Sequence, residues 1–162
     1  MTRPWDQGRA DIEAMLADGR LDQVPPSREQ ANLLVSQARA HVQSALAIAD
    51  TDPTGGYALA YDAARKAMAA LLENQGLRVT SKRGHHVALY EAVLAQLDPP
   101  MGLRIRPFAR MRTRRGHAEY PTRHEPAITA HDVLDDTAKA ADIVSLCDGV
   151  LDHMPVFRRV AR

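Results

Sequence analysis

The sequence predicts an all-α protein: an antiparallel bundle of four to five main helices behind a short leading N-terminal helix. Apolar residues recur every three or four positions over long stretches, which is the spacing of one helix face. Two of these stretches begin with capping-box residues. No alternating run of β-branched or aromatic residues lies between turn signals, so no strand is predicted. Short connections favour antiparallel neighbours in a single bundle.

The N-terminal segment is expected to form a short helix followed by a linker. Apolar residues take helical spacing between about Asp6 and Asp18, and Gly19 marks the end of that helix. Pro25 and Pro26 then interrupt the chain.

Two long helices follow the prolines. The first begins at the capping box Ser27–Gln30, where side chains can satisfy free amide groups. The second begins after the capping residue Asp52, with Pro53 in its first turn, and ends near Gly76. Its many alanines allow a neighbouring helix to approach closely.

The later helices are also bounded by prolines, a loop and capping residues. A polar loop over Leu77–Gly84 precedes a third helix over Val87–Leu97, and two prolines follow it. Pro107 marks the start of a fourth helix, which carries the arginines. A second capping box, Thr129–Asp132, begins a long last helix that reaches Leu151.

These elements divide the chain into three segments: residues 1–26 with the short helix and linker, residues 27–152 with the bundle, and residues 153–162 as a flexible basic tail. No apolar run approaches the roughly 18 residues of a membrane span, and the N-terminus is charged where a signal peptide is apolar. The cytoplasm is the expected location. The one cysteine, Cys147, is interpreted as a small core residue.

Charge is distributed unevenly along the chain. The total is +1, but residues 101–124 contain seven arginines and a single acid, a charge of +6 that leaves −5 for the remainder. A local cationic face on an otherwise mildly acidic protein is what a phosphate ligand requires. The alternative is a solvated face that pairs with acids of the last helix, such as Asp135 and Asp136.

The segment RMRTRRGHAEYP, over Arg110–Pro121, combines guanidinium groups with an imidazole. Arg112 and His117 do not stack on a regular helix, but we expect the helix to loosen at Gly116 and let them converge. An arginine offers fixed donors to a phosphate, and a histidine exchanges a proton near neutral pH. Together they are the minimum for cleaving RNA without a metal.

Three stretches carry a resemblance to a known family: YALAYDAARKAMAALLENQGLR over Tyr57–Arg78, GHHVALYEAV over Gly84–Val93, and RTRRGHAEYP over Arg112–Pro121. They resemble the HEPN domains, small helical bundles of prokaryotic toxins, defence ribonucleases and nucleotidyltransferase partners. The first two are similar to the family's second long helix and the helix after it. The third looks like its signature of an arginine, four to six residues and a histidine, with a trailing tyrosine. The resemblance covers about Ser27–Leu151.

The resemblance implies a HEPN-like bundle that forms a homodimer, with Arg112 and His117 facing each other across two subunits. His117 would move the proton of the ribose 2′-hydroxyl, and Arg112 would stabilise charge on the phosphate. The first hypothesis is therefore a metal-independent RNA endonuclease of toxin or defence type. A nucleotidyltransferase-type antitoxin is the partner that this resemblance suggests. No metal and no cofactor are expected.

A second register of the motif leads to a different function. If the motif is anchored on Tyr120, Arg114 takes the arginine position and Glu119 the histidine position; Gly116 also stands where the family commonly has asparagine. A carboxylate cannot replace imidazole at pH 7 without a large rise in pKa. This register predicts a non-catalytic module that binds RNA, a nucleotide or a protein partner. A purely structural domain without an anionic ligand is the third hypothesis. Besides Arg112 and His117, the predicted phosphate-binding face contains Arg110, Arg114, Arg115, Glu119 and Tyr120.

Other histidines and tyrosines have simpler interpretations. His85 and His86 are adjacent, so they point to different sides of a helix, and they are interpreted as helix-start or loop packing rather than metal ligands. The spacing of Arg78 and His85 also fits the family signature, but it is a weak signal. Tyr120 is expected either to support the site from a buried position or to reach the ligand. The tyrosines on apolar stripes are interpreted as core or dimer contacts: Tyr57, Tyr61 and Tyr90.

Overall fold

The computed structural model describes residues 5–160, which are mostly helical, as predicted. No helix in this range is long and apolar enough to cross a membrane. In chain order the elements are α1 (Arg9–Ala17), β1 (Leu21–Gln23), α2 (Arg28–Ile48), α3 (Pro53–Gln75), β2 (Leu77–Val79), α4 (His85–Leu97), α5 (Gly102–Ile105), α6 (Pro107–Glu119) and α7 (Ala130–Val150).

The helix starts lie where the capping residues predict them. The Ser27 hydroxyl and the Asp52 carboxylate each accept a hydrogen bond at 3.0 Å from the amide three residues later. At α7 the capping box is reciprocal, because the Thr129 amide donates to Asp132 at 2.9 Å and the Asp132 amide donates to the Thr129 hydroxyl at 3.2 Å. Helix α6 begins at Pro107, as expected.

Helix α3 lies at the centre of the bundle. It packs against α2 and α7 on one side and against α4 and α6 on the other. Alanines on α3 are fully buried, and their small side chains allow these neighbours to approach closely: Ala60, Ala63, Ala64, Ala67 and Ala70. Cys147 of α7 is buried in the same core, as predicted.

A two-stranded sheet is the first departure from the prediction. Strands β1 and β2 pair antiparallel, with Leu21 opposite Val79 and Gln23 opposite Leu77. A linker and a polar loop were expected here, and this prediction is wrong for these residues. Each strand has only three residues, too few for an alternating pattern to be visible in the sequence. The inward side chains Leu21 and Leu77 are buried and tie the sheet to the core.

The C-terminal segment is the second departure, because the residues described there are docked on the bundle where a flexible tail was expected. Met154 and Phe157 are buried in the same hydrophobic core as Ile12 of α1. The Phe157 amide donates to the Gln75 carbonyl at 2.9 Å, and the Arg9 guanidinium lies 5.1 Å from the centre of the Phe157 ring. Residues from all three predicted segments therefore share one core.

Gly76, which ends α3, provides a test of this packing. Its φ of +77° is left-handed, and a Cβ atom there would lie 2.8 Å from the Val24 carbonyl oxygen. We expect Gly76→Ala to lower the free energy of unfolding by at least about 1–2 kcal/mol. The control is Gly149→Ala within α7, where a Cβ atom meets open space and stability should rise by roughly 0.5–1 kcal/mol. Urea unfolding measures both, and equal effects would contradict the prediction.

Candidate phosphate-binding face on α6

Helix α6 is regular over its whole length. Phe108 and Met111 are fully buried and fix it to the core. The Tyr120 amide donates to the Gly116 carbonyl at 3.0 Å, so the helix continues past the glycine. The loosening expected at Gly116 does not occur, because one glycine weakens a helix by only about 1 kcal/mol.

This regularity separates the two predicted catalytic residues. Arg112 and His117 are five positions apart, so their side chains leave the helix at directions that differ by about 140°. Residues three or four positions apart share a face. We therefore distinguish the α4 flank, formed by Arg112, Arg115 and Glu119, from the α7 flank, formed by Arg110, Arg114 and His117. Within one chain, the two catalytic candidates lie on different flanks.

The α7 flank is built around a buried carboxylate. Asp136 of α7 is fully buried and accepts a hydrogen bond from the Tyr57 hydroxyl at 2.7 Å. It also pairs with Arg110 and, at 3.3 Å, with Lys139. Desolvation raises the pKa of Tyr57, and the bond to Asp136 raises it further.

Arg114 completes this network. Its guanidinium lies 3.1 Å from an Asp132 oxygen and 3.6 Å from an Asp136 oxygen. It also lies over the Tyr57 ring, 5.6 Å from the ring centre, within the range of a cation–π contact. Arg110 and Arg114, both predicted to bind phosphate, thus have their charge balanced by carboxylates of α7.

His117 lies at the edge of a groove of roughly 700 Å³ between α6 and the following loop. Its Nε2 atom is 3.3 Å from a Glu125 oxygen, and the side chain is half exposed. Arg114 and Thr54 also line this groove, together with apolar residues of the loop. The imidazole therefore faces a carboxylate and an arginine that is already paired.

The α4 flank is built around an aromatic cluster. The Tyr61 hydroxyl lies 2.7 Å from His86 Nδ1, and the Tyr61 ring stacks on Phe108 with centres 4.9 Å apart. The Arg115 guanidinium lies 5.4 Å from the centre of the Tyr61 ring and 3.1 Å from a Glu119 oxygen. Arg112 is exposed and forms no ion pair with any residue in the range 5–160.

The surroundings of the α4 flank are cationic. Burial, and then the neighbouring His85, Arg65 and Arg115, lower the pKa of His86 from 6.5 to about 4. Burial raises the pKa of Tyr61 to about 12 against the opposing influence of Arg115, Arg112 and Arg65. The nearby carboxylate of Asp62 is already engaged by Arg65 at 2.5 Å and by His41 at 3.2 Å.

Most of the arginine cluster is neutralised by ion pairs. Arg104 pairs with Asp142 at 2.7 Å and Arg106 with Asp98 at 2.8 Å. Of the seven arginines between residues 101 and 124, only Arg112 and Arg123 lack a carboxylate partner among the residues described. Five of them are thus paired, but only three pair with acids of the last helix as the alternative interpretation expected: Arg104, Arg110 and Arg114. Asp136 takes part as expected, whereas Asp135 binds Lys139.

Sequence reasoning missed the contribution of α3 and α4 to the α4 flank. His86 is near the start of α4, as expected, and Tyr61 is buried, but the chain gives no sign that they meet across 25 positions. The i, i+4 spacing of Tyr61 and Arg65 on α3 could have grouped these two residues, but it does not connect either of them with His86.

Two other residues singled out in the sequence, Arg78 and Tyr120, lie outside the aromatic cluster of the α4 flank. Arg78 pairs with Glu73 at 2.9 Å. Tyr120 is 74% exposed just past the end of α6, so it does not support the site from a buried position. Among the described residues, no group of three or more His, Cys, Asp or Glu side chains could hold a metal ion.

The buried carboxylate generates a stability prediction. Asp136→Asn removes the negative charge that holds Arg110, Arg114 and Lys139. We therefore expect this substitution to lower the free energy of unfolding by roughly 3 kcal/mol. Its neighbour Asp135 is exposed and pairs only with Lys139, so Asp135→Asn should change stability by no more than about 0.5 kcal/mol. Chemical denaturation of both variants tests this, and similar losses would refute the network's structural role.

His86 generates a pH prediction. Its folded pKa of about 4 is below the ordinary 6.5, so between these values the unfolded chain binds a proton here that the folded chain does not. This contribution to stability is complete above about pH 6.5 and is lost as the pH falls towards 4. In His86→Gln the loss over this window should be smaller, whereas His124→Gln, an exposed loop control, should keep the wild-type slope. Identical slopes in all three proteins would disprove the assignment.

Comparison with known proteins identified no relative of this chain. No protein-family model, no curated protein and no solved structure matches the chain. The HEPN assignment stays a prediction from the motifs, and the function is argued from the geometry of α6 and its neighbours.

Proposed function

We propose that this chain is a HEPN-like helical bundle that binds RNA through the α4 flank and has no ribonuclease activity of its own. One observation carries the proposal: positive charge is left over on the α4 flank and is balanced on the α7 flank. Arg112 has no ion pair with a residue that the structure describes, and Arg115 shares its charge with one exposed carboxylate. An RNA phosphate would supply the anion that the flank lacks.

The position of His117 and the environment of His86 support binding rather than cleavage. His117 leaves the helix in a different direction and faces Glu125. His86 lies on the correct side, but its pKa of about 4 keeps it neutral near pH 7, and its Nδ1 atom is bonded to Tyr61. A general acid or base is most effective when its pKa is near the working pH.

A metal-independent ribonuclease is the second candidate, and it requires a homodimer. Arg112 and His117 are both accessible, since the first is exposed and the second is half exposed. His117 of a second copy could therefore face Arg112 across a two-fold axis, as the resemblance implies. The homodimer, the nucleotidyltransferase-type partner and the cytoplasmic location all stay predictions.

Binding to a labelled single-stranded RNA at several salt concentrations tests the first proposal. We expect Arg112→Gln to weaken binding and to reduce the slope of log affinity against log salt by about 0.7, the value for one phosphate contact on a single strand. The matched control is Arg123→Gln, which removes another exposed arginine that has no ion pair within residues 5–160, and it should have little effect. AMP and ADP as competitors distinguish a nucleotide site from an RNA site. Equal slopes for Arg112→Gln and the wild type would refute the proposal.

The same samples decide between the two candidates. In chelator, RNA incubated with the protein should remain intact, and His117→Ala should bind RNA as the wild type does. RNA cleavage that disappears in both Arg112→Gln and His117→Ala, together with a dimer in solution, would instead establish the ribonuclease.

A further inference from the structure

We infer that the phosphate-binding surface continues from the α4 flank into a pocket at the start of α4, so that one single strand of nucleic acid occupies both. The inference rests on the proposed function and deepens it, because it makes the ligand an oligonucleotide rather than a mononucleotide. Two cationic patches joined by aromatic rings are its basis.

The pocket has a volume of roughly 300 Å³ and an excess of positive charge. Three cations line it, Arg20, Lys82 and Arg83, against the single carboxylate of Glu91. Glu91 already pairs with Arg20 at 2.8 Å. Lys82 and Arg83 are exposed and form no ion pair with any residue between 5 and 160. The second patch thus has two free cations.

The histidine pair connects this pocket to the α4 flank. His85 lines the pocket and meets His86 edge to face, with ring centres 4.2 Å apart. His86 in turn contacts Tyr61, over which Arg115 lies. A series of contacts therefore runs from His85, which lines the pocket with Lys82 and Arg83, to Arg115. Arg112 lies three positions before Arg115, on the same face of α6.

The order of groups along this surface suits a single strand. Exposed cations at both ends can hold phosphates, and the exposed His85 ring between them offers a face on which a base can stack. A mononucleotide reaches only one patch, whereas an oligonucleotide gains from both because its second contact is intramolecular. The shared chemistry is a chain of phosphates, so RNA and DNA of the same sequence form separate arms of the test.

The experiment measures the affinity of oligonucleotides of increasing length, from two to sixteen nucleotides, over a range of salt concentrations. The variants are Lys82→Gln with Arg83→Gln for the pocket and Arg112→Gln for the α4 flank. Arg28→Gln with Arg39→Gln is the charge-matched control on α2, a helix that packs against α3 and α7. For the longest RNA, the pocket variant should lower the salt slope by about 1.4, the value for two lost phosphate contacts. It should also flatten the rise of affinity with length.

Each outcome decides a separate claim. Loss of affinity in both the pocket variant and Arg112→Gln, with an unchanged control, supports one continuous site. If only Arg112→Gln binds more weakly, the pocket is not part of the site and the proposed function survives. If only the pocket variant binds more weakly, the pocket is a phosphate site, but the α6 proposal fails. Equal losses for polyglutamate and RNA would overturn the inference, because the surface would then bind any polyanion.

Discussion

Burial of Phe108 and Met111 fixes the rotational setting of α6, and two cation–π contacts one turn apart on the central helix α3 reinforce that setting. Arg114 lies over Tyr57 and Arg115 lies over Tyr61, with guanidinium-to-ring distances of 5.6 and 5.4 Å. Adjacent residues leave a helix about 100° apart, so one rotational setting of α6 satisfies both contacts. That setting directs Arg112 outward beside Arg115. The packing of α6 therefore determines which arginine is left exposed beside Arg115.

Asp136 gives the two flanks their different characters. Because its carboxylate is fully buried, leaving it without cations would be costly, and arginines of α6 supply two of the cations it needs. The positive charge of the α7 flank is therefore neutralised by carboxylates that belong to the fold itself. No comparable buried acid lies under the α4 flank among the described residues; Asp62 and Glu119 are partly exposed and already paired. The basic segment of the sequence thus forms one flank whose positive charge is balanced and one flank that keeps a net positive charge.

Local signals predicted most of the fold, and long-range contacts account for what they missed. Ser27, Asp52 and Thr129 mark helix starts because a capping side chain acts on amides only three residues away. The pairing of β1 with β2 and the docking of Phe157 depend on partners far along the chain, which no local pattern reveals. The candidate site divides in the same way. Arg112 was identified from the charge of its own segment, whereas its neighbours come from α3 and α4. Convergence of Arg112 and His117 within one chain assumed a break at Gly116 that α6 does not have, whereas their partnership across a dimer stays a prediction.

Burial of the Tyr61–His86 pair also determines what kind of ligand the α4 flank can serve. An imidazole held neutral near pH 7 cannot donate a proton to a leaving group, and its bond to the Tyr61 hydroxyl occupies one ring nitrogen. The positive charge of the flank comes instead from guanidinium groups, which do not titrate in proteins. Under the proposed function, such a surface would attract phosphate without acting on it, and the attraction would weaken as ionic strength rises. The aromatic core that holds α6 in place thus also keeps His86 from serving as the proton carrier.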